Sequence, residues 1–299
     1  MKRFLVFTLI ISLLGLGLVA FAAEEHPSDK PLKLPFDMGF RPFHYWNEKQ
    51  EAVGFGIDVS REIAKRLGRP GIEVVDVNWS GIFSGLYAKK YEAIFFSLNI
   101  KRSRAQEMDF TEPFMTVPQG AAVRMKDKEE IMGPEDLEGK TLGVNAGSIA
   151  DSWGTDSKDE YGFKLKRFDK IADAVMALRT GSIDAILADA PTTGSFVKES
   201  PNLARSFNVP SKTDWGVLGQ DGFGMAFRQD DDEFRRKVEK VLEGMKLDGT
   251  LQEIMAEYKE YFGEPGPNSY INVVFAGYGT PGLPAYEPEN HHVPYFPEE

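Results

Sequence analysis

Leu86-Tyr-Ala-Lys-Lys-Tyr91-Glu92-Ala93-Ile94 and Leu178-Arg-Thr-Gly-Ser-Ile183-Asp184-Ala185-Ile186 follow one pattern at two distant places in the chain. Each reads as a helix end, a turn and the start of a buried strand. Before the first, Ile82, Phe83 and Leu86 share a helix face; before the second, Ile171, Val175 and Leu178 do, behind Asp169 as a possible cap. Two such units predict two lobes, each with its own helix-strand core.

Working outward, short apolar strands at 94–96, 141–144 and 183–187 alternate with helical patterns. That alternation predicts α/β lobes with helices over mainly parallel sheets. In such sheets, ligands bind beyond the strand C-termini. The same count from each repeat reaches Ser97 and Asp189, polar residues just past an apolar strand, so the pocket is expected in a cleft between the lobes.

Farther along, Phe234, Val238, Leu242 and Met245 make a helical stripe that Lys246-Leu-Asp-Gly249 stops. Thr250-Leu-Gln-Glu253 reads as a capping box opening the next helix. From Glu264 on, Pro, Gly and aromatic residues predict an irregular C-terminal tail, 264–299.

The chain opens with Met1-Lys2-Arg3, an apolar run from Phe4 to Val19 and Ala20-Phe21-Ala22-Ala23. A basic start, an apolar middle and small residues at the exit predict a signal peptide over 1–23, cleaved near Ala22 or Ala23. Retention as an anchor is the alternative, because the run approaches the ~20 residues that cross a bilayer. Export to the periplasm follows. The chain has no cysteine, so neither disulfides nor a lipidated cysteine is available. The roughly 275 residues that remain suffice for two compact cores.

A net charge of -11 without a long basic run excludes a nucleic-acid binder. Gly54-Phe55-Gly56 lacks the third glycine of a dinucleotide fingerprint and reads as a turn; no phosphate-cradling loop occurs and no cofactor is implied. His44, His291 and His292 have no chelating spacing, so no metal is expected and they read as surface or tail residues.

Six stretches carry a resemblance over about 32–263. They are Phe40-Arg-Pro-Phe43, Gly54-Phe-Gly-Ile-Asp58, the run Tyr91 to Arg104, Asp109-Phe-Thr-Glu-Pro-Phe114, Glu135-Asp-Leu-Glu-Gly-Lys140 and the run Gly181 to Asp189. In this order they resemble the periplasmic solute-binding proteins of ABC transporters for polar amino acids, with the type II periplasmic-binding fold. The resemblance implies an α/β, two-lobed fold with two hinge crossings: lobe I over 24–117 plus 222–263, and lobe II over 118–221. Pro118-Gln-Gly120 and Gly216 to Gly222 are the expected hinges.

The same resemblance implies a non-enzymatic monomer that hands a polar or basic L-amino acid to a permease in the inner membrane. It assigns the carboxylate to Arg104, whose planar fork donates two parallel bonds, and the ammonium to Asp189. Gly147-Ser148-Ile149 offers free amides and the Ser148 hydroxyl, with an ordinary N-cap serine as the other reading. Ser97 and Asn99 line the cleft, Asn99 replacing the more usual serine or threonine. Phe40 and Trp79 flank the ligand side chain, and Asp37 meets a basic group or else caps a turn. Phe96 replaces a small residue, which predicts a narrower pocket. The rival reading is an exported cyclohexadienyl dehydratase-like enzyme on the same fold, although no acid/base pair stands out.

Overall fold

The computed structural model describes residues 26–96, 98–209, 216–217, 220–262 and 272–273. The signal segment, Ser97 and most of 264–299 therefore lie outside the described residues. None of the described helices is long and apolar enough to cross a membrane.

The second repeat forms as its sequence dictates. Helix Ile171–Arg179 buries Ile171, Ala174, Val175 and Leu178, one stripe at helical spacing. Gly181 turns the chain in the left-handed region, and strand Ala185–Asp189 is buried throughout. The first repeat departs from it. Its helix is the short Ile82–Tyr87, and Ile94 makes only an isolated bridge with Ala226. Ile94, Leu98 and Ile100 exchange backbone bonds with Ala226, Gly224 and Gly222 without forming a continuous ladder.

Among the described residues, strands Leu203–Val209, Gln119–Arg124, Ala185–Asp189, Thr141–Asn145 and Lys164–Phe168 lie side by side in that order. Mainly parallel sheets were expected, but here only two of the four pairings are parallel; Gln119–Arg124 is antiparallel to both of its neighbours. It carries the chain away from the crossing point, whereas the other four strands run back toward it. Their C-terminal ends, Asn145 and Asp189 among them, therefore gather at one edge.

The other lobe repeats this logic with strands Leu32–Phe36 and Ile72–Asp76, which are parallel. Asp37 and Trp79 follow their C-terminal ends. Separate cores hold the lobes. One unites Leu34, Phe55, Phe96, Phe227, Val238 and Leu242; the other unites Val123, Leu142, Trp153 and Leu187. The two crossings run together: Val117 pairs with Asp221 on one side of Pro118, and Gln119 with Val209 on the other.

Two expected caps are replaced. Lys170, not Asp169, precedes the 171–179 helix, and the Asp169 carbonyl accepts from Asn145 Nδ2 at 2.9 Å. Gly249, left-handed at φ 85°, ends one helix and starts the next, so Thr250 is already helical; its hydroxyl donates to Asp248 at 2.7 Å instead of capping. The Phe234-Val238-Leu242-Met245 stripe is buried as expected. In the tail, Asn272–Val273 pairs antiparallel with Met115 and Thr116 beside a crossing.

Candidate functional site

The strand ends of both lobes enclose one pocket. Asp37, Phe40, His44, Trp79 and Asn99 line it from one side; Gln119, Asn145, Ser148, Ile149, Ala188 and Asp189 line it from the other. Six of the eight residues expected from the sequence are thus brought together. Ser97 lies outside the described residues, and Arg104 stands just behind the lining.

Arg104 is buried, packed 5.5 Å from the Trp79 ring and 5.3 Å from that of Phe83. Its fork spans the lobes: Nη1 donates to Asn99 O at 2.7 Å and Nη2 to Gly147 O at 3.0 Å. Both bonds go to backbone carbonyls, one on each side of the pocket, so the guanidinium is held between them.

Asp189 ends its strand directly opposite Gln119, whose Nε2 donates to Oδ1 at 2.5 Å. The bond fixes the carboxylate at the strand end, where it lines the pocket. Asp37 is also buried and accepts the Trp79 backbone N–H at 3.3 Å. Burial raises its carboxyl to about 6, against the opposing pull of Lys170. At neutral pH the pocket therefore holds an anionic group that a cation would satisfy.

His44 is a correction. It is buried, not a surface residue, and its ring is bonded to Asp37 O at 2.9 Å and stacked 5.7 Å from Phe40. Burial lowers it to about 4, so it is neutral at pH 7 and brings no positive charge. Phe96 is another. It packs against Phe43, Phe55, Phe114 and Phe223, and over Gly56, where a Cβ would stand 2.5 Å from its ring. It fills the core beneath the pocket and narrows nothing.

Ser148 lines the pocket and caps helix Ile149–Tyr161, its hydroxyl accepting from Asp151 N at 3.1 Å. The neighbouring amides expected to be free are engaged: Gly147 N donates to Asp151 at 2.8 Å and Ser148 N to Asn145 O at 3.2 Å. Gln119 and Asn145 were not anticipated as lining residues. Asn145 obeys the rule that singled out Asp189, being the polar residue after an apolar strand. Gln119 was legible only as part of a crossing.

A sequence profile of the bacterial extracellular solute-binding proteins, family 3, matches residues 32–264. The L-arginine-binding protein of Pseudomonas aeruginosa is 27% identical over 251 residues, covering 83% of this chain and 95% of that protein. The histidine-binding periplasmic protein of Escherichia coli is 27% identical over 262 residues, covering 87% and 98%. An ancestral arginine-binding protein bound to arginine superposes with a TM-score of 0.70 at 29% identity, over 79% of this chain and 100% of that one. A profile spanning most of the chain, with a pocket where two lobes' strand ends meet, establishes the family: this chain is a bacterial extracellular solute-binding protein of family 3.

Proposed function

We propose that this chain is the periplasmic binding component of an ABC transporter and closes around a polar or basic L-amino acid. One observation carries the reading: two carboxylates, Asp37 and Asp189, line a buried pocket with the Arg104 guanidinium behind it. An amino acid with a cationic side chain has the complementary set, two cations and one carboxylate. Burying any of these unpaired would cost several kcal/mol, so a neutral or purely acidic guest fits worse.

In this reading Asp189 takes the α-ammonium, Arg104 with Ser148 the carboxylate and Asp37 the side-chain cation. Phe40 and Trp79 flank the chain between them, and Ser97 and Asn99 complete the wall. Lobe I is taken as 24–117 plus 222–263 and lobe II as 118–221, with closure about the paired crossings. Residues 1–23 are taken as the export signal, and the mature monomer delivers its ligand to an inner-membrane permease.

The relatives named as arginine- and histidine-binding proteins support a binder over a dehydratase-like enzyme. A thermal-shift screen against the common amino acids tests this. A melting rise confined to basic and polar amino acids is expected. No rise with any of them, or turnover of prephenate or arogenate, overturns it.

A further inference from the structure

Two donors in the pocket have nothing to donate to. Trp79 and Asn99 are both more than nine-tenths buried, both line the cavity, and Trp79 Nε1 and Asn99 Nδ2 have no hydrogen-bond partner. A buried polar group left without a partner costs about 1–3 kcal/mol, so two facing one cavity mark a place where the guest supplies acceptors.

Their location says which part of the guest that is. A Cβ built on Gly147 would stand 3.9 Å from Trp79 Nε1, and the carbonyls of Gly147 and Asn99 are the two that Arg104 bridges. Trp79 Nε1 therefore lies at the Arg104 end of the pocket, and Asn99, which lines the same pocket, is the residue whose backbone Arg104 holds. The carboxylates of Asp37 and Asp189 are themselves acceptors and suit only the cations of the guest. What remains for neutral N–H groups beside a guanidinium is an anionic oxygen pair.

We infer that Trp79 Nε1 and Asn99 Nδ2 are specificity-determining donors to the ligand carboxylate, acting beside Arg104. This rests on the amino-acid reading above and goes further, because it makes Trp79 a hydrogen-bonding residue as well as an apolar wall. It also explains what asparagine does at position 99: its amide extends farther than a serine hydroxyl and offers N–H groups where a hydroxyl would offer one O–H. The site then discriminates for the carboxylate by geometry as well as by charge.

The test uses the mature protein with nitrogen-15 in its indoles. Of its four tryptophans, the Trp79 Nε1–H signal is the one lost in Trp79→Phe. On saturation with L-arginine, this proton is expected to move downfield and exchange more slowly, and Trp79→Phe, which keeps an aromatic wall without the N–H, to bind about tenfold more weakly. Asn99→Asp, which sets a carboxylate against a carboxylate, should lose more affinity than Asn99→Ala. L-Arginine that binds by calorimetry while the Trp79 indole stays unmoved overturns the inference and leaves the amino-acid reading standing. Equal affinities for Asn99→Asp and Asn99→Ala do the same. A wild-type protein that takes up no amino acid overturns both.

Discussion

Arg104 Nη2 and the backbone carbonyl of Gly147 meet at 3.0 Å, and the bond runs from one lobe to the other. The residue proposed to hold the ligand carboxylate thus also helps hold the cleft shut. Binding and closure are then coupled through one guanidinium, because contacts to both lobes exist together only in the closed form.

Arg104→Ala removes both roles. The expected loss is about 2–5 kcal/mol of binding free energy, because the carboxylate is left buried without its partner. Arg104→Lys keeps the charge without the planar fork and should fall between wild type and alanine. Titration calorimetry measures both; an unchanged affinity in Arg104→Ala would remove the residue from the site.

Asp37 makes binding of a basic ligand depend on pH. Its carboxyl is raised to about 6, by burial above all. Below that pH it is neutral and gives a cation little, so affinity for L-arginine should fall as the pH drops from 7 to 5. Ligand binding at neutral pH should draw the titration downward, since a nearby cation favours the ionised form. Asp37→Asn should flatten the profile and weaken arginine more than glutamine.

His26 bonds Glu92 at 2.7 Å and Asp231 at 2.6 Å and stacks on Phe234. Burial alone would lower its titration, but bonds to Asp231 and Glu92 outweigh this and hold it up at about 9. A folded value above the unfolded 6.5 stabilises fully below about pH 6.5 and is lost as the pH rises through 9. Denaturant melts from pH 6 to 10 should show that decline. His26→Ala should remove it, at a cost of about 1–2 kcal/mol at pH 6 once solvent screening is allowed for.

Lys198 and Glu260 form an ion pair that joins helix Ala190–Lys198 to Lys259–Phe262, and Arg41 pairs with Glu199 at 3.0 Å. Neither pair touches the pocket. Lys198→Glu should weaken ligand binding by no more than about fivefold, as exposed pairs allow, and the charge swap with Glu260→Lys should recover it. The effect should shrink in high salt.

How much of this was legible in the sequence follows from what each segment had to satisfy. The helix and strand of 171–189 pack against one sheet, so spacing in the sequence reports their buried faces directly, and the position of Asp189 came with them. The stretch at 94–100 could not be read that way. Its described residues are buried, with Phe95 and Phe96 both in the core, so its apolar run resembles a strand without making one. The reversed strand Gln119–Arg124 is set by where the chain enters its lobe, a long-range fact with no local mark. His44 looked like a surface residue because nothing near it in sequence shows that Phe40 and Asp37 enclose it. Thr250 had the letters of a cap, but the left-handed Gly249 took that position.

The account stands or falls on Asp189 receiving an α-ammonium in the same pocket in which Arg104 serves the carboxylate. The most direct measurement is calorimetric titration of wild type and Asp189→Asn with L-arginine and with 5-guanidinopentanoate, the same molecule without its amino group. The account predicts that wild type prefers L-arginine by about 100-fold, as a lost charge-assisted bond of about 2–3 kcal/mol would give. In Asp189→Asn that preference should largely disappear. Equal losses for both ligands in the variant, or no preference in wild type, would contradict it.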